Sequence, residues 1–262
     1  MNYRRILVIG DMHGKFTKLL SLFHKIDFDE RKDFLILLGD YIDRGEENMR
    51  CFRWAMEMSE KPNCIALRGN HEQMRLYYYA LGGTEGYIWL PNGGNKTKAE
   101  FDIWRQKDPT AFHRALEFIE NRPYYHQMFV NGEEYIFVHA GLKPGKSLEE
   151  QDEESLLWIR EQFYNGYNGS AHVICGHTPT PFIKRDWYYP IRLPNKITLM
   201  DTGSFMTNGK ISWNHGVALA PLRAYETQFP EDIISDLSAI QLQIISGALP
   251  TGYLPPDPAS AP

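Results

Sequence analysis

Asp, His and Asn side chains recur in five short motifs, each placed just after an apolar run. The motifs are GDMHG (10–14), GDYIDRG (39–45), GNHE (69–72), HAG (139–141) and GHT (176–178). Asp11 and His13 are two residues apart, so an extended chain points both the same way. Asp40 follows the second apolar run, Asn70 the third, and His139 and His177 two later ones. Together they offer two carboxylates, one amide oxygen and three imidazoles. One metal would use part of this set; two metals sharing Asp40 as a bridge use all of it. Nitrogen and oxygen donors without thiolate suit Mn²⁺, Fe or Zn²⁺ and disfavour a structural zinc. Two such ions, about 3.5–4 Å apart, clamp a phosphoryl oxygen and activate water at neutral pH. The chemistry implied is hydrolysis of a phosphate ester.

That reaction also needs a grip on the phosphate and a proton for the leaving oxygen. Arg44 lies in the same turn as Asp40 and suits bidentate phosphate contact. His71 adjoins Asn70 without having to be a ligand, which makes it the natural general acid, and Asp43 could orient its imidazole. Any one motif alone reads as an ordinary turn: GDMHG as a strand-to-helix turn, GNHE as a helix start with Asn70 capping. Five together, each with metal-competent residues at a strand tip, do not arise from turn chemistry. GDMHG is not a phosphate-binding Walker loop, since Phe16 stands where Ser or Thr is required.

The elements that must position these residues alternate. Arg4–Ile9, Phe34–Leu38 and Cys64–Leu67 read as buried strands. Helical spacing follows each: Phe16, Leu19, Leu20, Phe23 and Ile26; then Met49, Phe52 and Met56; then Met74, Tyr78 and Leu81. Three βα units imply a parallel sheet whose strand ends share one edge. The stretch 82–106, with several glycines, Pro91 and bulky aromatics, predicts an irregular surface excursion. Phe112, Ala115, Leu116 and Ile119 predict a helix ending before Pro123. Tyr135–Val138, His172–Cys175 and Ile197–Met200 predict further strands, and Leu156–Phe163 a helix. Lys210–Ala220 reads as a hairpin candidate and Leu237–Ile244 as a strand closing a second sheet. Residues 1–247 are expected to form one catalytic domain, and 248–262, rich in Pro, Ala and Ser, a disordered tail.

Composition narrows the class. A 43% hydrophobic content supports a sizeable core, and the net charge of −5 argues against bulk nucleic-acid binding. A phosphate substrate must therefore meet a local positive field. Three scattered cysteines, Cys51, Cys64 and Cys175, imply no disulfide framework. The apolar run near the N-terminus is too short for a signal peptide, and no run elsewhere could span a membrane. A cytoplasmic location is expected; no oligomeric state follows from the sequence. The acidic run Glu149–Glu154 reads as a solvated loop and helix start, and Tyr77, Tyr78 and Tyr79 as helix packing that could line a groove.

The five motifs, in this order, resemble those of the PPP family of metallophosphatases within the calcineurin-like phosphoesterases, and most of all its small bacterial and phage branch. The resemblance spans about residues 4–205. It implies an α/β fold with two mixed β-sheets in a central sandwich flanked by helices. It further implies Asp11, His13 and Asp40 on one metal, and Asp40, Asn70, His139 and His177 on the other. His71 and Asp43 correspond to an acid pair and Arg44 to a phosphate clamp. A second clamp is expected in a WxR segment, which LLWIRE supplies as Arg160. Mn²⁺ usually supports activity in that branch.

One departure discriminates among relatives. The symmetrical dinucleoside tetraphosphatases read ARG where this chain has Asp43-Arg44-Gly45. Asp43 therefore favours a phosphoprotein phosphatase acting on phosphoserine or phosphothreonine, with phosphotyrosine a further candidate, through a hydroxide held by both metals. The rival activity is cleavage of dinucleoside tetraphosphates or nucleic-acid end phosphates. The segment 206–236 is longer than the family's short loop. It is expected to shape substrate access through Trp213, His215 or Tyr225.

Overall fold

Residues alternate in facing along the first strand, and both faces are buried. The computed structural model describes residues 3–80 and 87–206, and for residues 217–218 the backbone alone. Strand β1 (Arg5–Ile9) pairs in parallel with β2 (Asp33–Leu37), and β2 in parallel with β3 (Cys64–Ala66). Strand β9 (Val217–Ala218) adds antiparallel to β1 at Leu7 and Val8. The second sheet runs β4-β5-β6-β8-β7, from β4 (Tyr125–Val130), β5 (Glu133–Val138), β6 (His172–Cys175), β7 (Ile191–Arg192) and β8 (Ile197–Leu199). Its inner pairs β5–β6 and β6–β8 are parallel, and its edge pairs antiparallel.

Both sheets are therefore mixed, as the family resemblance implies, and they pack face to face. Ile6, Val8 and Ile36 from the first sheet meet Tyr135, Phe137 and Ile174 from the second. The alternate residues Leu7, Ile9, Leu35 and Leu37 face the helices Phe16–Lys25 and Asn48–Ser59, meeting Leu19, Phe23, Phe52 and Trp54. On the outer face of the second sheet, Val138, Val173 and Leu199 pack on Leu156 and Phe163. A strand buried on both faces reads as a continuous apolar run, which is why ILVI was legible as a strand. Each fully buried Leu, Ile or Phe contributes about 1.5–3 kcal/mol, so this sandwich is a stiff base for the loops at its edge.

Three expectations are corrected. The stretch 82–106 is not an irregular excursion throughout. Trp89 is fully buried, Leu90–Gly94 forms a π-type turn, and Asn95–Lys107 is a helix packed on the helix Pro109–Glu120. Only Thr97 and Phe101 of that helix are buried, so its periodicity was too weak to read. Strand β4 was not foreseen; it pairs along its length with β5 at the sheet edge. The expected helix over Leu156–Phe163 is two short helices, Glu153–Trp158 and Glu161–Gly166. Ile159 is extended between them, which places Arg160 in the break rather than on a helix face. The Leu237–Ile244 strand, the 248–262 tail and nearly all of the 206–236 insertion lie outside the described residues.

Candidate active site

Six strands end on the same edge of the sandwich. Asp11 follows β1, Asp40 follows β2, Asn70 follows β3, His139 follows β5, His177 follows β6 and Asp201 follows β8. The sequence reading identified the first five of these. Asp201 was missed because DTG looked like an ordinary strand end. All six side chains are buried, as are His13, His71 and Asp43.

Close approach of the loops depends on missing side chains. Gly39 has φ +99, and a Cβ there would lie 2.5 Å from the Gly69 nitrogen; a Cβ on Gly69 would lie 2.4 Å from the Asp40 nitrogen. The two loops can touch only because both positions are glycine. Glu72 locks the junction: its carboxylate accepts from the backbone nitrogens of Asp40 (2.8 Å), Tyr41 (2.9 Å) and Gly69 (3.1 Å). The sequence had offered Glu72 only as a helix-start residue; its structural task is to fix the backbone that carries Asp40.

Asp40 sits centrally. Its Oδ2 is 3.6 Å from His13 Nε2 and 3.9 Å from His71 Nε2, while its Oδ1 is 3.5 Å from His139 Nε2. Asp11 Oδ2 lies 4.0 Å from His13 Nε2, and both Asp11 oxygens accept from the His177 nitrogen at 3.1 Å. Asn70 Oδ1 is 2.8 Å from His139 Nε2 and 3.2 Å from His177 Nδ1. Two tight groups result, His13-Asp40-His71 and Asp11-Asp40-His139, joined by Asp40.

The imidazoles are set up as ligands. His13 Nδ1 faces the Ile42 carbonyl and His139 Nδ1 the Leu38 carbonyl, both at 2.9 Å. A carbonyl can only accept, so each Nδ1 carries the proton, and a neutral ring turns its Nε2 lone pair inward. Burial pushes the His13, His139 and His177 rings toward that neutral form. Arg44 donates to His13 Nε2 at 2.7 Å, as an unprotonated nitrogen requires. At His139, however, the inward lone pair confronts the Asn70 carbonyl oxygen. Two acceptors that close repel each other, and a divalent cation held by both would relieve it. His177 Nε2, His71 Nε2 and Asp201 Oδ2 are further buried atoms with no hydrogen-bond partner among the described residues.

Charge points the same way. Burial opposes the ionisation of Asp40, but the rings of His139, His71 and His13 with Arg44 hold its carboxyl below the usual range. Asp11 is raised by burial and by the charges of Asp201 and Asp40. Asp201 is pushed up to about 7, first by burial, with Asp40 adding. An ionised Asp40 between two carboxylates that resist ionisation, with neutral imidazoles and an inward amide oxygen, fits divalent cations.

Around this centre stand the groups for phosphate and proton. His71 Nδ1 is 2.6 Å from Asp43 Oδ2, which also accepts from Trp89 Nε1 at 2.7 Å. Since His71 Nδ1 is engaged, only its Nε2 faces the Asp40 side. Arg44 and Arg160 are exposed at the rim. The Arg44 guanidinium lies 4.6 Å over the Phe205 ring, and Arg160 donates to Thr178 Oγ1 at 2.6 Å. His172, at the start of β6, pairs with Glu133 and stacks on Tyr135, away from the site. Cys175 is buried in β6, as expected of a packing residue.

A two-sheet sandwich with carboxylate, amide and imidazole donors on one edge defines a metallophosphoesterase. The family model for calcineurin-like phosphoesterases matches residues 4–203, and the chain belongs to that family. Among curated relatives, serine/threonine-protein phosphatase 2 of Salmonella typhimurium is 32% identical over 214 residues, covering 80% of this chain and 92% of that protein. A symmetrical bis(5'-nucleosyl)-tetraphosphatase of Methylobacillus flagellatus is 33% identical over 203 residues, covering 76% of this chain and 62% of its own. Among solved structures, a protein serine/threonine phosphatase from Saccharomyces cerevisiae shares the fold, with a TM-score of 0.51 at 17% identity over 82% of this chain and 78% of that one.

Proposed function

We propose that this chain is a metal-dependent phosphoprotein phosphatase that hydrolyses phosphoserine and phosphothreonine monoesters. The observation that carries the reading is the buried His71–Asp43 pair beside Asp40, 2.6 Å between ring nitrogen and carboxylate. Asp43 is the residue that sets this chain apart from the tetraphosphatase pattern. In this reading Asp11, His13 and Asp40 hold one divalent cation, and Asp40, Asn70, His139 and His177 the other. When bound, such cations supply Lewis acidity to a phosphoryl oxygen and lower the pKa of water. The donor set suits Mn²⁺, with Fe or Zn²⁺ as alternatives.

The chain's own residues do the rest. Arg44 and Arg160 reach the phosphoryl oxygens from the rim, where planar guanidinium forks match their geometry. As water attacks phosphorus and the ester P–O bond breaks, His71 Nε2 gives its proton to the departing alkoxide. Asp43 holds His71 Nδ1 and so orients the ring with Nε2 toward the departing oxygen. Trp89 fixes Asp43 in turn. No helix among the described residues is long and apolar enough to cross a membrane, and a cytoplasmic enzyme acting on phosphorylated proteins is the reading that follows.

The tetraphosphatase relative keeps a second activity in view, namely cleavage of dinucleoside polyphosphates. The deciding experiment runs phosphoserine peptides and diadenosine tetraphosphate side by side with added Mn²⁺. Higher kcat/KM on the phosphopeptides supports the proposal. Efficient turnover of the dinucleotide with negligible phosphopeptide hydrolysis overturns it.

A further inference from the structure

A cavity of about 400 Å³ opens beside the active site, and the two share a wall. Gln73, two residues after His71 on the same helix, lines it. Trp158 also lines it, and the Trp158 ring meets the His177 ring edge-to-face with centroids 5.8 Å apart. The same Trp158 precedes Arg160 by two residues. A substrate held at the phosphate site therefore has its neighbouring chain directed along this groove or away from it.

The lining combines apolar surface with negative charge. Buried Met74 and half-exposed Ile88 give apolar walls together with Trp158, while Glu153 and Glu154 bring carboxylates. Glu153 is anchored by two phenols: Tyr77 and Tyr124 each donate to it at 2.6 Å, one to each oxygen. Both donors are neutral phenols, and among the described residues no cation pairs directly with Glu153; Arg68 reaches it only through the Tyr124 hydroxyl. Glu154, the next residue, makes no ion pair or hydrogen bond among the described residues. An apolar trough ending in carboxylates without a counter-ion matches the shape of a lysine or arginine, whose long stem packs while its head stays charged.

We propose that this groove is a subsite for a basic residue flanking the phosphorylated residue of a phosphopeptide substrate. The inference rests on the phosphoprotein reading above and deepens it. An extended peptide advances about 3.3 Å per residue, so a residue one to three positions from the phosphoserine reaches the groove. The acidic lining also works in the opposite sense. A glutamate at that position, or the distal phosphates of a dinucleoside polyphosphate, would face Glu153 and Glu154 and be repelled. The global charge of −5 thus has a local counterpart at the substrate entrance. The positive rim of Arg44 and Arg160 receives the phosphate while the negative groove selects what lies next to it.

The test uses the full chain with added Mn²⁺ and a set of phosphoserine peptides identical except for Arg, Ala or Glu at positions within three residues on either side. Each enzyme is read against its own rate on p-nitrophenyl phosphate. The expected order of kcat/KM is Arg over Ala over Glu at one or more positions, with roughly five-fold steps typical of a partly exposed charge pair. Glu154→Gln should flatten the series and Glu154→Lys invert it; Glu153→Gln, which keeps the shape but leaves one phenol to turn from donor to acceptor, should flatten it as well. Hydrolysis of all peptides at equal rates overturns the groove and leaves the phosphoprotein reading standing, as does a preference that survives all three substitutions. Turnover of p-nitrophenyl phosphate with no peptide hydrolysed overturns the phosphoprotein reading, and the groove with it.

Discussion

His71 and Asp43 are joined through His71 Nδ1 and Asp43 Oδ2 at 2.6 Å, with both side chains buried. The opposite ring nitrogen, Nε2, has no hydrogen-bond partner among the described residues. A ring held at one nitrogen and free at the other suits proton delivery. His71→Asn should lower kcat for a phosphoserine peptide by about 10²–10⁴, the usual contribution of general acid catalysis. The loss on p-nitrophenyl phosphate should be far smaller, because its leaving group needs little protonation. Equal losses on both substrates remove His71 from the acid role.

Trp89→Phe tests the next link outward. It keeps the buried ring among Tyr78 and Tyr79 but deletes the N–H that holds Asp43 Oδ2. A hydrogen bond to a charged group contributes about 1.5–3 kcal/mol, so alkyl phosphate turnover should drop roughly ten-fold or more while p-nitrophenyl phosphate is spared. A variant with an unchanged ratio between the two substrates shows that Asp43 needs no such brace.

Metal removal should act on stability and activity together. Cations that bind the folded chain and not the unfolded one raise its melting temperature with concentration. Chelation should abolish turnover and lower the melting temperature, and Mn²⁺ should restore both. Asn70→Ala should weaken the melting response, since it deletes the amide oxygen shared by His139 and His177. Full turnover after chelation would contradict the metal reading outright.

In the metal-free protein Asp201 should contribute less stability as pH rises, against the opposite trend from the buried, neutral rings of His13, His139 and His177. An unfolded Asp titrates near 3.8, whereas native Asp201 holds its proton up to about 7. Between those values Asp201 keeps its proton in the native state and loses it in the unfolded one, so its contribution to stability falls from about pH 4 to about pH 7 and stays low above it. Asp11, raised by burial and by Asp201, adds in the same sense. Asp201→Asn should raise the metal-free melting temperature at pH 8 by roughly 4 °C or more and leave it nearly unchanged at pH 4.5. Thermal melts in chelator at both pH values check this; an unaltered pH slope would clear Asp201 of the effect.

Gly69→Ala should disable the site without unfolding the sandwich. The new methyl would press on the Asp40 nitrogen at 2.4 Å and on the Asp40 carboxylate. Backbone there can only move, taking Asp40 with it. Activity should fall at least a hundred-fold, as misplacement by about 1 Å can do, while far-ultraviolet circular dichroism stays native. Wild-type activity in this variant would show that the loops have room to part.

The catalytic centre was largely legible because its residues follow strands whose apolar runs are continuous on both faces. Once β1, β2, β3, β5 and β6 could be read, the residues after them had to meet at one edge. What escaped lies where local pattern and long-range contact disagree. The helix Asn95–Lys107 buries little, so its polar sequence read as loop, and with it went the nearby Trp89 that holds Asp43. Arg160 was read on a helix because apolar spacing runs across Ile159, yet the chain breaks there and turns the guanidinium to Thr178. Asp201 lies two residues past β8, which was legible as a strand, but its Asp-Thr-Gly carries no second metal-competent side chain to set it beside the other tips. Glu72 acts on backbone more than thirty positions away, a relationship no local periodicity carries.

Five of the nine non-glycine residues with positive φ among those described are His13, Asp40, Asp43, Arg44 and His177. Backbone held there is strained by about 1–3 kcal/mol per residue, which glycine would relieve. The site is therefore where this fold has given up stability, and selection for thermal resistance alone would erode it. A library of this chain screened only for survival of heating should accumulate glycine and asparagine at those five positions, yielding robust sandwiches that no longer cleave phosphate.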